Sequence, residues 1–137
     1  MSRHPTFCKH YRAMFEHSTC EAGVAYDTFK GMDFKARPCF RDNTEKPRPG
    51  CELAAWQTPE EIAEYERWLN ERIANIGKAR LAIVDHLGGP WKKGTAGGAG
   101  KIKCPCCESG ELQFSRAGYN GHIHARCSTD KCVSWME

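Results

Sequence analysis

Nowhere does this 137-residue chain run to the roughly 18–20 consecutive apolar residues of a membrane span. A leader is lacking too: Met1-Ser-Arg-His-Pro-Thr passes straight into Phe7-Cys8 without an apolar segment, so no secretory signal is expected and a reducing cytoplasm is. Apolar residues amount to 40% and mean hydropathy is −0.64, which argues against a large conventional core. Small modules of this kind depend on metal or disulfide staples, because burial alone barely offsets chain entropy. Catalytic signatures are also missing. The chain has no phosphate loop, no Gly-x-Ser-x-Gly elbow and no His-Glu-x-x-His pair, so an enzyme is not expected. Strong charge of one sign is missing as well: the net charge is +3, far weaker than the basic footprint of a strong duplex binder.

What the chain has in excess is cysteine, nine in all, falling as two sets of four plus one. The second set reads Cys104-Pro-Cys106-Cys107, then nineteen residues, then Cys127-Ser-Thr-Asp-Lys-Cys132. Two close pairs separated by a hairpin-length insert are the spacing of a zinc ribbon, each turn presenting two thiolates. Cys104, Cys107, Cys127 and Cys132 are the expected zinc ligands, and Cys106 is the spare thiol or a substitute ligand. With four thiolates and no open position, that zinc is structural. Disulfides are the competing use of nine cysteines, but the reducing compartment and the odd count favour metal.

The first set, Cys8, Cys20, Cys39 and Cys51, has eleven, eighteen and eleven intervening residues, so each ligand arrives from a different loop. Pro38 and Gly50 put Cys39 and Cys51 in turns. A structural zinc tetrathiolate suits this dispersal; an iron–sulfur cluster accepts it too. A three-cysteine, one-histidine site using His10 or His17, or no metal at all, are the other readings.

Between the two sets lies a helix signal. Thr58-Pro59-Glu60-Glu61 supplies an N-cap, a proline at the first helical position and a capping-box acid, with both acids at the positive end of the helix dipole. Ile62, Tyr65, Leu69, Ile73, Ile76, Ile83 and Leu87 then recur at three- and four-residue steps, thinning near Ala79 and Arg80. Gly88-Gly89-Pro90 ends the run. The stripe must pack on the amino-terminal module, on a partner or on a second copy of itself, and Gly77 marks a bend or a close contact. Beyond it, Trp91-Lys92-Lys93-Gly94-Thr95-Ala96-Gly97-Gly98-Ala99-Gly100-Lys101 reads as a flexible tether, leaving the ribbon free to move as a separate body.

Within the ribbon, residues 111–116 alternate as a strand, Gly118-Tyr119-Asn120-Gly121 turns the chain, and residues 122–126 alternate back. Val133-Ser134-Trp135-Met136 adds a third short strand. His122, His124 and Arg126 share one face of the returning strand, opposite Ile123 and Ala125. With Arg116 and Tyr119, that face can meet a phosphate backbone or stack on bases, or it is a solvated polar surface. Positive charge gathers beside it: residues 88–103 hold Lys92, Lys93, Lys101 and Lys103 and no acid, whereas residues 52–87 hold four Lys/Arg against seven Asp/Glu.

The expected fold is thus a small metal-stapled α+β chain. It comprises an irregular Cys-rich metal-binding module over 1–57, a long amphipathic helix over 58–88, a Gly/Lys linker over 89–101 and a zinc-ribbon hairpin over 102–137. The run Cys104-Pro-Cys106-Cys107 … His124-Ala125-Arg126-Cys127-Ser128-Thr129-Asp130-Lys131-Cys132 resembles the zinc-binding phage late-transcription activators of the Ogr/Delta type. Those proteins have a CPxC turn, a hairpin of about this length and a Cys-x4-Cys turn followed by hydrophobic residues. The resemblance covers residues 104–137; the ribbon here sits at the end of the chain, and the first strand has no Arg-Thr-Ser run. Phe7-Cys8-Lys9-His10-Tyr11 and Cys20-Glu21-Ala22-Gly23-Val24 likewise resemble proteins of phage and prophage genomes. The resemblance implies a bacterial host cytoplasm and a nucleic-acid-binding regulator or accessory factor. The alternative is a two-point clamp on a host complex such as RNA polymerase or an anti-phage defence system, with a homodimer through the helix possible in either case.

Overall fold

The computed structural model describes residues 4–12, 20–32, 37–40 and 51–137. His17 and Gly50, named above as a spare ligand and a turn residue, lie outside the described residues. The chain divides into two compact units, Met1–Arg67 and Trp68–Glu137, each taken by itself below. The described residues form a small α+β fold with one α-helix, α1 (Pro59–His86), and four strands: β1 (Gly98–Lys103), β2 (Glu111–Arg116), β3 (Ile123–Cys127) and β4 (Ser134–Met136). Among the described residues no helix is long and apolar enough to cross a membrane.

Among the described residues of the first unit, the regular structure is the start of α1 and a single 3-10 turn at Tyr26–Phe29. Its described segments are tied by scattered backbone bonds. An antiparallel bridge joins Phe7 to Phe40, Cys8 N–H donates to Cys39 O at 2.8 Å, Lys9 N–H to Ala55 O at 2.7 Å and Glu21 N–H to His10 O at 2.9 Å. Phe7 stacks on Tyr11 with centroids 4.8 Å apart and meets Phe40 edge-on at 4.7 Å. Among the described residues a buried apolar cluster holds Cys8, Phe29 and Cys39, with Tyr11, Val24, Phe40, Ala54 and Trp56 packed around it.

The start of α1 is built as its sequence dictates. Thr58 Oγ1 accepts from Glu61 N–H at 3.2 Å and Glu61 Oε2 accepts from Thr58 N–H at 2.7 Å, the two halves of a capping box. Lys9 Nζ closes on the same carboxylate at 2.6 Å and holds it below the ordinary glutamate range. At the far end, Gly88 with φ +86° lets its N–H reach Asp85 O at 3.1 Å while Gly89 N–H reaches Val84 O at 2.9 Å. This is the Schellman pairing that satisfies the last carbonyls of a helix.

The second unit packs the later turns of α1 on an antiparallel sheet of order β1-β2-β3-β4. Strict alternation does the sorting. Leu112, Phe114, Ile123, Ala125 and Cys127 point inward, and Ala79, Ile83 and Val84 of α1 complete the buried cluster, flanked by Ile76 and Leu87. Full burial of a side chain such as Ile83 contributes about 1.5–3 kcal/mol. The stripe expected to thin at Ala79 is tightest there, because a small residue lets the sheet approach. Ile73 at 59% and Leu81 at 63% exposure instead face away. At Gly77, where a bend or a close contact was expected, the helix is continuous and a Cβ would meet nothing within 4 Å.

The expectation of a loose tether is corrected. Residues 98–103 are an edge strand, registered from Gly98↔Arg116 to Lys103↔Glu111 against β2. Its glycines are there for close approach. A Cβ at Gly98 would lie 2.8 Å from Leu87 Cδ2, and one at Gly100 3.3 Å from the Phe114 ring. Trp91 is fixed as well, Nε1 donating to Gly118 O at 3.1 Å. The sheet therefore does not move as a separate body from the carboxy-terminal half of the helix. The hairpin loop is the expected Gly118-Tyr119-Asn120-Gly121, closed by Ala117 N–H on His122 O at 2.9 Å; of the four, Gly121 alone takes positive φ, at +74°, with its N–H on Ala117 O at 3.0 Å.

Candidate metal centre

Cys104, Cys107, Cys127 and Cys132 meet at one end of the sheet. Among the described residues they are the one group of three or more potential ligands whose donor atoms all lie within 4.8 Å of one another. Cys104 Sγ stands 3.7 Å from Cys132 Sγ, and Cys107 Sγ 3.6 Å from Cys127 Sγ. Four thiolates at about 2.3 Å from a central ion define a tetrahedron with edges of about 3.8 Å, so the spacing fits a single tetrahedral cation.

Strand pairing brings the two turns together. The β2–β3 register sets Leu112 against Cys127, Cys104 N–H donates to Gly110 O at 2.8 Å and Cys127 N–H to Val133 O at 2.9 Å. In each turn a backbone amide two residues on is aimed at the leading sulfur: Cys106 N–H at Cys104 Sγ and Thr129 N–H at Cys127 Sγ, both 3.4 Å. Such donors favour the thiolate. Gly110 admits no side chain, since a Cβ there would crowd Cys127 Sγ, Cys107 Sγ and Thr129 Oγ1 at under 3.0 Å.

The thiols are unequal. Thr129, with Oγ1 3.4 Å from Cys107 Sγ, is the main reason the Cys107 thiol is drawn down to about 6, so it is the readiest thiolate of the set. Burial pushes Cys127 and Cys132 up. A cation that displaces their protons offsets that cost, and metal binding releases protons accordingly. Cys106 stands outside the group. Its Sγ donates to Asn75 O of α1 at 3.3 Å, and burial raises its thiol.

The amino-terminal set is placed differently. Cys8, Cys20 and Cys39 are buried, Cys51 is half-buried, and all four line one small cavity with His10. They are gathered less tightly than the carboxy-terminal four.

Of the residues considered for nucleic acid, Lys92, Lys93, Lys101, Lys103, Tyr119, His122, His124 and Arg126 are exposed, Tyr119 at 84%. Arg116 is corrected. It is only 6% exposed, its Nη1 donates to Gly89 O at 3.0 Å past the end of α1, and it belongs to the inner face with Leu112 and Phe114. The alternation of residues 111–116 carried that signal. On the outer face the register aligns Lys101, Gln113, Arg126 and Ser134 in one row across the four strands. A groove of about 630 Å³ runs over this row and is bordered by Arg72 and Lys131 as well. Its four cations outnumber its two acids, Glu111 and Asp130. Arg72 comes from α1 and donates to Ser134 O at 3.1 Å; no local pattern in the sequence marks it for this place. Lys131, with φ +57°, is the one non-glycine described residue in the left-handed region.

No protein-family model, curated protein or solved structure matches the chain.

Proposed function

We propose that the carboxy-terminal unit is a zinc ribbon whose outer face binds nucleic acid, and that the chain acts as a phage-type regulator or accessory factor of transcription or DNA metabolism. Four thiolates at tetrahedral spacing are the donor set and geometry that zinc takes in structural sites, where no position is left open for substrate. The reading accordingly assigns no catalytic step. The observation that carries the nucleic-acid reading is the row Lys101, Gln113, Arg126 under the groove edged by Arg72 and Lys131. Cations in a shallow groove track a phosphate backbone, and His124 and the exposed Tyr119, further toward the hairpin turn, offer ring surfaces for unstacked bases. Single strands suit this arrangement better than a duplex.

Fluorescence anisotropy with labelled single- and double-stranded oligonucleotides across a salt series tests the reading. Binding should weaken with salt, and the pair Lys101→Ala and Arg126→Ala should lower the slope of log K against log salt by about 1.4, at roughly 0.7 per phosphate contact on a single strand. Absence of binding at low salt, or binding untouched by the double substitution, would refute it. Exposed Ile73 and Leu81 on α1 favour a second reading, the clamp on a host protein complex. A lysate partner that survives nuclease and is lost with Leu81→Glu would support that one instead.

A further inference from the structure

We propose that Cys8, Cys20, Cys39 and Cys51 form a second, mononuclear tetrathiolate metal site, taking one zinc ion rather than an iron–sulfur cluster. The inference stands apart from the nucleic-acid reading. Four cysteines spread from residue 8 to residue 51 line a single cavity, where the backbone bonds of Cys8 to Cys39, Lys9 to Ala55 and Glu21 to His10 gather their segments. The cavity's volume is about 10 Å³. That is about the room of one water-sized sphere. It suits a lone cation drawing four sulfurs inward better than the several iron and sulfide atoms of a cluster.

The sulfurs are dressed for thiolate charge in the manner of the carboxy-terminal group. Val24 N–H is aimed at Cys20 Sγ at 3.2 Å, and Ala55 N–H at Cys8 Sγ at 3.3 Å. The second donor comes from 47 residues away, so the fold itself and not a local turn supplies it. Val24, Phe29, Pro38 and Ala54 line the cavity beside the four cysteines.

Metal content of the full chain, measured by plasma mass spectrometry alongside native mass, tests the assignment. Two zinc ions per wild-type chain are expected, one in Cys51→Ser and one in Cys127→Ser. Cys51 is chosen because it is the least buried of the four, and the zinc retained at the other end reports that the variant still folds. Cobalt titration of the wild-type chain provides a second reading that needs no variant: both equivalents should give tetrahedral thiolate spectra. One zinc per wild-type chain, or two in Cys51→Ser, overturns the proposal. Acid-labile sulfide in anaerobically purified protein overturns the mononuclear assignment. His10→Ala should keep both ions, and loss of one would overturn the all-cysteine ligand set.

Discussion

Replacing Gly97 by alanine separates a loose connector from a packed strand. On a loose connector the change would stabilise the chain by about 0.4–1 kcal/mol, because alanine narrows the unfolded ensemble. In the structure, a Cβ at Gly97 would lie 2.7 Å from the carbonyl oxygen of Arg116 and 3.0 Å from the amide nitrogen of Gly118. Both are backbone atoms, so relief requires shifting the edge of the sheet, and overpacking of that kind costs about 1–3 kcal/mol. Gly77→Ala is the reference. It sits on an exposed flank of α1 with nothing within 4 Å of the added methyl, and helix propensity alone gives a gain of about 0.8–1 kcal/mol. The same chemical change should therefore move stability in opposite directions, the two variants differing by about 2–4 kcal/mol. Guanidinium unfolding followed by circular dichroism reads the difference, with metal held at one saturating concentration because bound metal raises apparent stability. A Gly97→Ala chain as stable as wild type, or more so, would mean that the approach of residue 97 to the end of β2 is not made.

Ile83→Ala should cost about 2–5 kcal/mol in the same assay, since the side chain is fully buried between α1 and the sheet. Ile73→Ala, on the exposed flank of the same helix, should stay within about 0.5 kcal/mol; equal effects would undo the assigned helix face. Glu137 makes a pH-dependent contribution. Burial pushes its carboxyl up, but Arg80 Nε at 2.7 Å and the Ile123 N–H at 2.9 Å outweigh burial and hold it below the ordinary glutamate value. A depressed folded pKa means the contribution is present above the unfolded value of about 4.3 and is lost as pH falls through the folded one. Glu137→Gln should therefore cost up to about 1 kcal/mol at neutral pH for this partly exposed pair, and the two stability curves should converge below about pH 4. A gap that stays constant down to pH 3 would show that the carboxylate charge is not what Arg80 and Ile123 read.

Helix ends and metal turns were legible in the sequence because both are local. Thr58 and Glu61 cap each other over three residues, Gly88 supplies a left-handed backbone one step beyond the last turn, and each cysteine pair lies within a single turn. β1 was illegible for a physical reason. Glycine-rich composition is the mark of a flexible chain, yet the same residue is what a strand needs when Leu87, the Phe114 ring and the Arg116 carbonyl crowd its surface. The two cases differ only in what lies across from the glycine, which residues 89–101 do not contain. Arg116 was a different kind of miss. Its parity with Leu112 and Phe114 placed it inside; its charge suggested outside. The half-buried carbonyl of Gly89, beyond the helix end, gives Nη1 of the guanidinium a partner and offsets part of the conflict. At the amino-terminal end neither period 2 nor period 3.6 exists to be read; that Cys8, Cys20, Cys39 and Cys51 belong together was legible from their number alone, and the one cavity they line had to come from the structure.

The carboxy-terminal cysteine cluster, which could hold a metal ion, does more than close two turns, and chelation should show it. Cys104 and Cys127 belong to the same buried cluster as Ala79, Ile83 and Leu112, and Cys106 in the first turn holds a carbonyl of α1 through its own thiol. Unoccupied thiols would have to keep their protons or repel one another as thiolates, and the strain would fall directly on the helix–sheet core. Three outer-face cations also stand one residue from a ligand: Lys103 beside Cys104, Arg126 beside Cys127, Lys131 beside Cys132. The alternation that buries the sulfur exposes the charge, so ligand geometry and cation placement are one constraint. Chelation, or Cys127→Ser with every cation intact, should then lower the thermal midpoint of the helical signal and abolish oligonucleotide binding together. Binding that survives metal loss at unchanged affinity would break the link, because charge alone would suffice and the position that the metal imposes on it would be irrelevant.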